Sequence, residues 1–517
     1  MPVYYNDGVD DPLAFDLTGS FIGGQVSNVR SNLLKGEQFA EAKNMDIDKF
    51  GSIITRRGTS RIGSALSSAI TGLAFFDKPS VEELLAVSGG VLYKSTGSTF
   101  STLSGYSPAS GNDVEFAQLV DKVYMTDNSG DLHSYDGSTV ASVTSPATYS
   151  KFLVTHTNRL FAANTSTYDD EVCASDLLDG GNWASVMKFR VGGGEGDAIT
   201  GISSWYNHNL LVFKNRSIHV VSTDPSQSAA ANWNVHRIDN NVGCESGRTI
   251  AQAGADVFFL ARDGVRTVRT ILSGAQNSVS EPISLAINDY IERINWQHAD
   301  KACARFWRNR YILSVPLDSS SHPDYTFVFN TTTGSWSGYW TGWTPRVYSV
   351  SSFNNFPKLV FGDNSGNVAT FHDYVSGSNE GAADFQDFGS DYESMVLSRG
   401  HVFGDYLSPK LGGHVEIEVN NDPTGCHCAE VYASLDGTSG SNDVLLENNI
   451  STKSTGVSLP VDLPFTLPDM GTNQRAFNLT TKGEFSEIQF KIKASSGKLH
   501  VRSIKASAYI NTLALEK

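Results

Sequence analysis

Cysteine is scarce in this chain of 517 residues: Cys173, Cys244, Cys303, Cys426 and Cys428, an odd number spread too thinly for the disulfide framework of a small secreted domain. Long apolar runs are missing, so no helical membrane span is expected. The N-terminus, MPVYYNDGVDDPLAFDLTG, has neither a basic n-region nor an apolar h-region, which excludes a signal peptide and leaves the expectation of a soluble chain made in the cytoplasm. Basic residues are outnumbered, 39 Lys and Arg against 55 Asp and Glu, for a net charge of −16. That balance disfavours a protein that grips nucleic acid, which needs clustered cations, but not one that DNA slides past. Long helical periodicity is also rare. The one stretch that carries it is EPISLAINDYIERINW, where Ile283, Ala286, Ile287, Tyr290 and Ile291 fall on a helical stripe.

What is present points to β-structure. Aromatic residues reach 11% with 47 glycines, a pairing of strand formers with turn formers. Two stretches, VYMTDNSGDLHSYDG from Val123 and LVFGDNSGNVATFHD from Leu359, write the same hairpin twice. They belong to seven units starting near Ile70, Val114, Ser150, Ile199, Thr249, Lys301 and Arg346. The starts lie about 36 to 52 residues apart, the period of a four-stranded propeller blade. Within a unit the segment before the central turn is the most apolar (LLAVS, LLVFK, VFFLA, YILSV, LVFGD), as suits a strand covered on both faces. The expectation is an all-β protein with a six- or seven-bladed β-propeller over residues 66–377.

Residues 1–65 read as an N-terminal extension for subunit or partner contacts. From residue 378 to 399 acids accumulate among Gly and Ser, which reads as a solvated linker. Beyond it, GHVEIEVN and FSEIQFKIKASSGKLHVRSIKASAYI alternate with period two, so residues 400–517 are expected to form a β-sandwich-like module.

Catalytic motifs are not found, and neither an enzymatic activity nor a cofactor is expected. GSWSG has Trp336 where a nucleophile elbow needs Ser, and VGGGEGD from Val191 misses the dinucleotide spacing. The Asp box of propeller sialidases is missing. Cys426, His427 and Cys428 form a thiol–imidazole cluster without the second ligand pair of a zinc site, so no metal is assigned. Asp127-Asn128-Ser129-Gly130-Asp131 has calcium-loop donors, but these are also ordinary β-turn residues. Trp336, Tyr339, Trp340 and Trp343 crowd together in NTTTGSWSGYWTGWTP. Packing between blades is the first reading, and stacking on glycans the second.

The segment GGQVSNVRSNLLKGEQFAEAKNMDIDKFGSIITRRGTSRIG, Gly23 to Gly63, resembles the opening of the nozzle, or tail tubular B, proteins of short-tailed bacteriophages and the related packaged-DNA stabilisation proteins. The shared pattern is Asn44, then Gly51, then a strand leading into Arg56 and Gly58, with propeller blades following. Many relatives have proline where this chain has Arg57. The resemblance implies a virion protein of the phage tail, made in the host cytoplasm. It implies a homohexameric ring contacting adaptor or portal-side proteins and tail fibres or spikes. Double-stranded DNA would pass through that ring at ejection without specific binding. Arg56, Arg57 and Arg61 could serve in structural ion pairs, in contacts to a neighbouring subunit, or on DNA phosphates. The alternative function is a phage receptor-binding protein that recognises surface glycans through the Trp336–Trp343 cluster or through the C-terminal β-module.

Overall fold

The computed structural model describes residues 13–143, 149–227, 229–239, 241–270, 277–279, 282–372, 381–404, 406, 409–422, 424–426, 428–437, 443–453, 472–479 and 484–510. The protein is all-β. From Ile70 onward, seven antiparallel units follow one another among the described residues: five are separate four-stranded sheets, the sixth is a four-stranded part of a ten-stranded sheet, and the seventh belongs to a six-stranded sheet. Their first strands are Ile70–Lys78, Glu115–Leu119, Phe152–His156, Ile199–Trp205, Ala251–Ala253, Cys303–Trp307 and Pro345–Ser351. Successive first strands touch, the fourth reaching the fifth sheet through the 3-10 turn Gly247–Thr249, and the seventh packs on the first.

The cause of the repetition is visible in the packing. Seven separate hydrophobic cores lie between neighbouring sheets, and the last of them joins the seventh sheet to the first through Val347, Val360, Ile70 and Leu84. Each second strand presents apolar side chains to two of these cores, which is why Leu210–Lys214, Val257–Ala261 and Tyr311–Val315 are buried along their whole lengths. A fully buried Leu or Val contributes about 1.5–3 kcal/mol, so no sheet could stand without both neighbours. The repeated Asp-Asn-Ser-Gly is the turn after the second strand in sheets two and seven. Asp363 accepts the backbone N–H groups of Ser365 and Asn367 at 2.9 and 2.7 Å, and Asp127 accepts that of Ser129 at 3.2 Å. These carboxylates cap turns, the plainer of the two sequence readings.

The seventh sheet takes only three strands from its own unit. Its fourth is Thr59–Arg61 from the N-terminal segment, paired as Phe371 with Thr59 and Ala369 with Arg61. The remaining N-terminal strands build the second layered body. Leu13–Thr18, Met45–Ile47 and Ile53–Thr55 join His500–Ile510, Lys410–Asn420 and Thr472–Asn478 in one sheet. Gln38–Lys43 lies between Ser335–Trp340 of the sixth sheet and Ser394–Ser398, which continues into Ile488–Ala494, Ala429–Leu435 and Val444–Ile450. Phe39, Met45, Ile53, Val396, Ile417, Phe490 and Ile504 fill the space between the two layers.

Two expectations change accordingly. Residues 1–65 do not stand apart as an extension: the described part completes the seventh sheet and supplies strands to both layers of the C-terminal body. The stretch read as a linker over 378–399 is built into the fold from residue 382 onward, with Phe385, Asp387 and the whole of Ser394–Ser398 buried. Its described acids misled because they pair within the chain: Asp384 with His372, Asp387 with Arg56, Asp391 with Gln386 and Glu393 with Lys43. The helical stripe is also shorter than its periodicity suggests: a 3-10 segment Ile283–Ile287 precedes a single α-turn Asn288–Glu292. Ile287, Tyr290 and Ile291 still face the core, so the stripe reported burial more reliably than helix length.

Several histidines are buried between strands. His156 meets the Ser204 and Thr223 hydroxyls at 2.9 and 2.8 Å, tying the third sheet to the fourth. Burial pushes His156, His219 and His500 down to about 4 from the ordinary 6.5. Between those values the unfolded chain binds protons that the folded chain refuses, so stability falls as pH drops from 6.5 to 4. Urea midpoints measured from pH 8 to 4 are expected to stay level down to pH 7 and then decline through that window; a level midpoint down to pH 5 would contradict it.

Candidate functional site

The N-terminal segment passes through the junction of both bodies, and Arg56 is its centre. The side chain is fully buried. Its guanidinium forms a bidentate pair with Asp387, Nη1 to Oδ1 at 3.0 Å and Nη2 to Oδ2 at 2.5 Å. It also donates to the Asn44 Oδ1 and to the Thr341 carbonyl at 3.0 and 2.9 Å. Trp343 and Tyr392 sandwich it, with ring centroids 4.3 and 3.9 Å from Cζ. Asn44 takes a left-handed conformation at φ 54°, from which its side-chain N–H reaches the Glu393 carbonyl at 2.8 Å. Gly58 has no room for a Cβ, which would lie 2.0 Å from the Gln386 carbonyl oxygen. Asn44, Arg56 and Gly58 of the Asn-Gly-Arg-Gly pattern thus serve an internal clasp, while Gly51 turns the chain at φ 82° against Ser20.

Neither Arg56 nor Arg57 is offered to DNA or to a neighbouring subunit. Arg57 is buried, with Cζ 4.9 Å from the Phe385 ring centroid. Arg61 alone is exposed, lying 4.9 Å over Phe388. The aromatic cluster is likewise interior. Trp336, Tyr339, Trp340 and Trp343 are all buried, so a glycan cannot stack on them. Three of their polar atoms are spent within the chain: Trp336 Nε1–H on the Ile283 carbonyl at 3.0 Å, Trp340 Nε1–H on the Met45 carbonyl at 2.8 Å, and the Tyr339 hydroxyl on Glu41 at 2.6 Å. Packing, the first sequence reading, is what these rings do. Cys426 and Cys428 are joined in a disulfide, a pairing the sequence reading does not anticipate, and His427 lies outside the described residues. Among the described residues no three His, Cys, Asp or Glu side chains converge as a metal site would require.

What sequence reading missed lies where the seven first strands converge. All seven line one central cavity of about 820 Å³. At the end of that cavity where the first strands begin, Arg248 reaches across from the turn before the fifth sheet. Its Nη2 donates to the carbonyls of Thr71 and Val114 at 2.7 and 3.1 Å, in the first sheet and just ahead of the second. Its Nε meets Glu115 at 2.9 Å and its Nη1 lies 3.2 Å from Asp113. Nη1 also donates to the Arg346 carbonyl at 3.3 Å, beside the seventh sheet. Burial alone would lower the pKa of this guanidinium, but Asp113 and Glu115 outweigh it and raise the group above the ordinary arginine range. Beyond Arg248 a second cavity of about 470 Å³ is lined by the loops that lead into the first strands. One side chain therefore links four sheets and divides the central space in two. Cys303 faces the larger cavity, and burial pushes its thiol well above the usual range, which leaves it unreactive.

A signal for this site existed. Arg305 interrupts the apolar first strand of unit six in KACARFW, and Arg248 directly precedes unit five; charges there are out of keeping with a core strand. No linear motif shows that both point to one axis.

Removing one partner from a buried pair costs about 3–5 kcal/mol, because the other charge stays behind. Arg56→Ala and Arg248→Ala are each expected to lower unfolding free energy by about that much in urea titrations. Arg56→Lys should recover little, since an ammonium lacks the fork that holds Asp387 and Asn44 together. Losses under about 1 kcal/mol would mean that the clasp and the crosspiece do not carry the assembly.

No known family matches the chain, and no curated protein does. Among solved structures, 60% of the chain is similar to 98% of the β-propeller domain of Myceliophteria thermophila Cps50 (Swd1), at 12% identity and a TM-score of 0.41.

Proposed function

We propose that the seven sheets close as a seven-bladed β-propeller and that the chain is a structural virion protein, the nozzle subunit of a short phage tail. The observation that carries this reading is the Gly23–Gly63 segment. Of the residues in which it resembles the nozzle family, Asn44, Arg56 and Gly58 are at the contacts that fasten the seven-sheet body to the C-terminal one, and Gly51 shapes a turn against Ser20. A resemblance confined to surface loops would say little about architecture. One seated at the joint between two bodies supports a shared build.

In this reading six copies form a ring that continues the DNA channel, retains the packaged genome and releases it at ejection. Adaptor or portal-side proteins would bind one face, and fibres or spikes the flank. Arg248 closes the centre of each propeller, so DNA would pass between copies, along the ring axis. The net charge of −16 per chain suits a wall that repels phosphate and forms no lasting contacts.

Immunogold electron microscopy of purified particles, with antibody to residues 400–517, tests the assignment. Label concentrated at the tail tip is expected. Unlabelled particles, with the antigen confined to the soluble lysate, would overturn it.

A further inference from the structure

The larger central cavity contains a charge that nothing on its walls answers. Its charged lining residues are Glu115, Arg248 and Arg305. Glu115 is already taken by Arg248. Arg305 makes no hydrogen bond or ion pair with a described residue, and burial alone acts on its ionisation, lowering its pKa. The two observations fit together physically. The side chain is exposed to the water of the cavity, yet the strands lining that cavity crowd it, so it gives up part of its hydration and gains no partner among the described residues.

The position is fixed by the fold. Arg305 sits mid-strand in Cys303–Trp307, paired in register with Ile312, and its neighbours Ala304 and Cys303 are buried. Thr155, Ser203, Gln252 and Ser349 bring hydroxyl and carboxamide groups to the same cavity from four other sheets. Phe75 and Phe116 supply apolar wall. In a chain of net charge −16, the charged side chains on this lining sum to one net positive charge, and Arg305 is the one that lacks an acidic partner among the described residues. A guanidinium presents a planar fork of N–H donors that fits the two oxygens of a carboxylate or phosphate. The volume of about 820 Å³ suits a small organic molecule.

We propose that this cavity binds a small oxyanion, a carboxylate- or phosphate-bearing molecule seated on Arg305. The inference rests on the cavity and Arg305 alone and is independent of the tail assignment. Because the ligand would touch several first strands at once, it would also brace the sheets against one another on the open side of Arg248.

Calorimetric titration of the full chain with citrate and with inorganic phosphate, in chloride of matched ionic strength, tests it. Saturable one-site binding of at least one is expected, and Arg305→Gln should weaken it at least about tenfold with an unchanged melting temperature in chloride. Arg305→Lys, which keeps the charge and loses the fork, should fall between, and stands in if the glutamine variant does not fold. Binding of citrate alone would assign a carboxylate ligand, and of phosphate alone a phosphate ligand. Saturable binding of neither by the unmodified chain, or equal binding by Arg305→Gln, would overturn the proposal.

Discussion

The ion pair between Arg56 and Asp387 is the constraint on which the assembly turns. A buried guanidinium is expensive to desolvate, and the cost is recovered only if nearly every donor is bonded. Here that requirement recruits groups from far apart in the chain: Asn44 and Asp387 at the side chain, the Thr341 carbonyl beside the seventh sheet, and the rings of Trp343 and Tyr392. The Tyr392 hydroxyl bonds back to the Arg56 carbonyl at 2.5 Å. Satisfying one cation thus fixes where the N-terminal segment, the seventh sheet and the entry to the sandwich lie relative to one another. An apolar joint would contribute comparable energy but would tolerate sliding; a forked, fully bonded pair does not.

The same device recurs wherever distant segments meet. Asp16, in the first N-terminal strand, holds Arg399 at 2.5 Å, and Asp46 holds Arg310 of the sixth sheet at 2.6 Å. Arg248 does the equivalent across the central space. Sheets cohere through apolar cores with their neighbours, whereas bodies are aligned by arginine–carboxylate pairs. This division of labour makes the count of charges misleading as a guide to surface: Asp387 and Asp16 add to the acidic total but face inward.

How much of this was legible depends on the range of the interactions. The seven units were readable because each second strand is covered on both faces, which leaves an uninterrupted apolar run. The Asp-Asn-Ser-Gly turns were readable because an aspartate caps its own backbone two residues on. Long-range partners were not. Nothing near residues 59–61 says that this strand joins the seventh sheet. The acidic run after residue 378 has the composition of a linker, and only the position of Arg56 shows why Asp387 is there. The tryptophans were read first as packing, and glycan stacking stayed open as the second reading because composition does not report which face of a strand is covered.

The borrowed strand bears on how the chain is made. Thr59–Arg61 leaves the ribosome early, but Val368–Phe371, its antiparallel partner among the described residues, follows after the strands of six sheets have been synthesised. Until then the first and seventh sheets have no common core, and the nascent chain carries an open apolar flank at each end of the growing array. Packing of the seventh sheet on the first is a late, long-range event, of the kind that slows folding and exposes unpaired edges to other chains. Once made, it locks the beginning of the polypeptide to its later half, so that neither terminus of the sheet array can peel away without breaking the same seam.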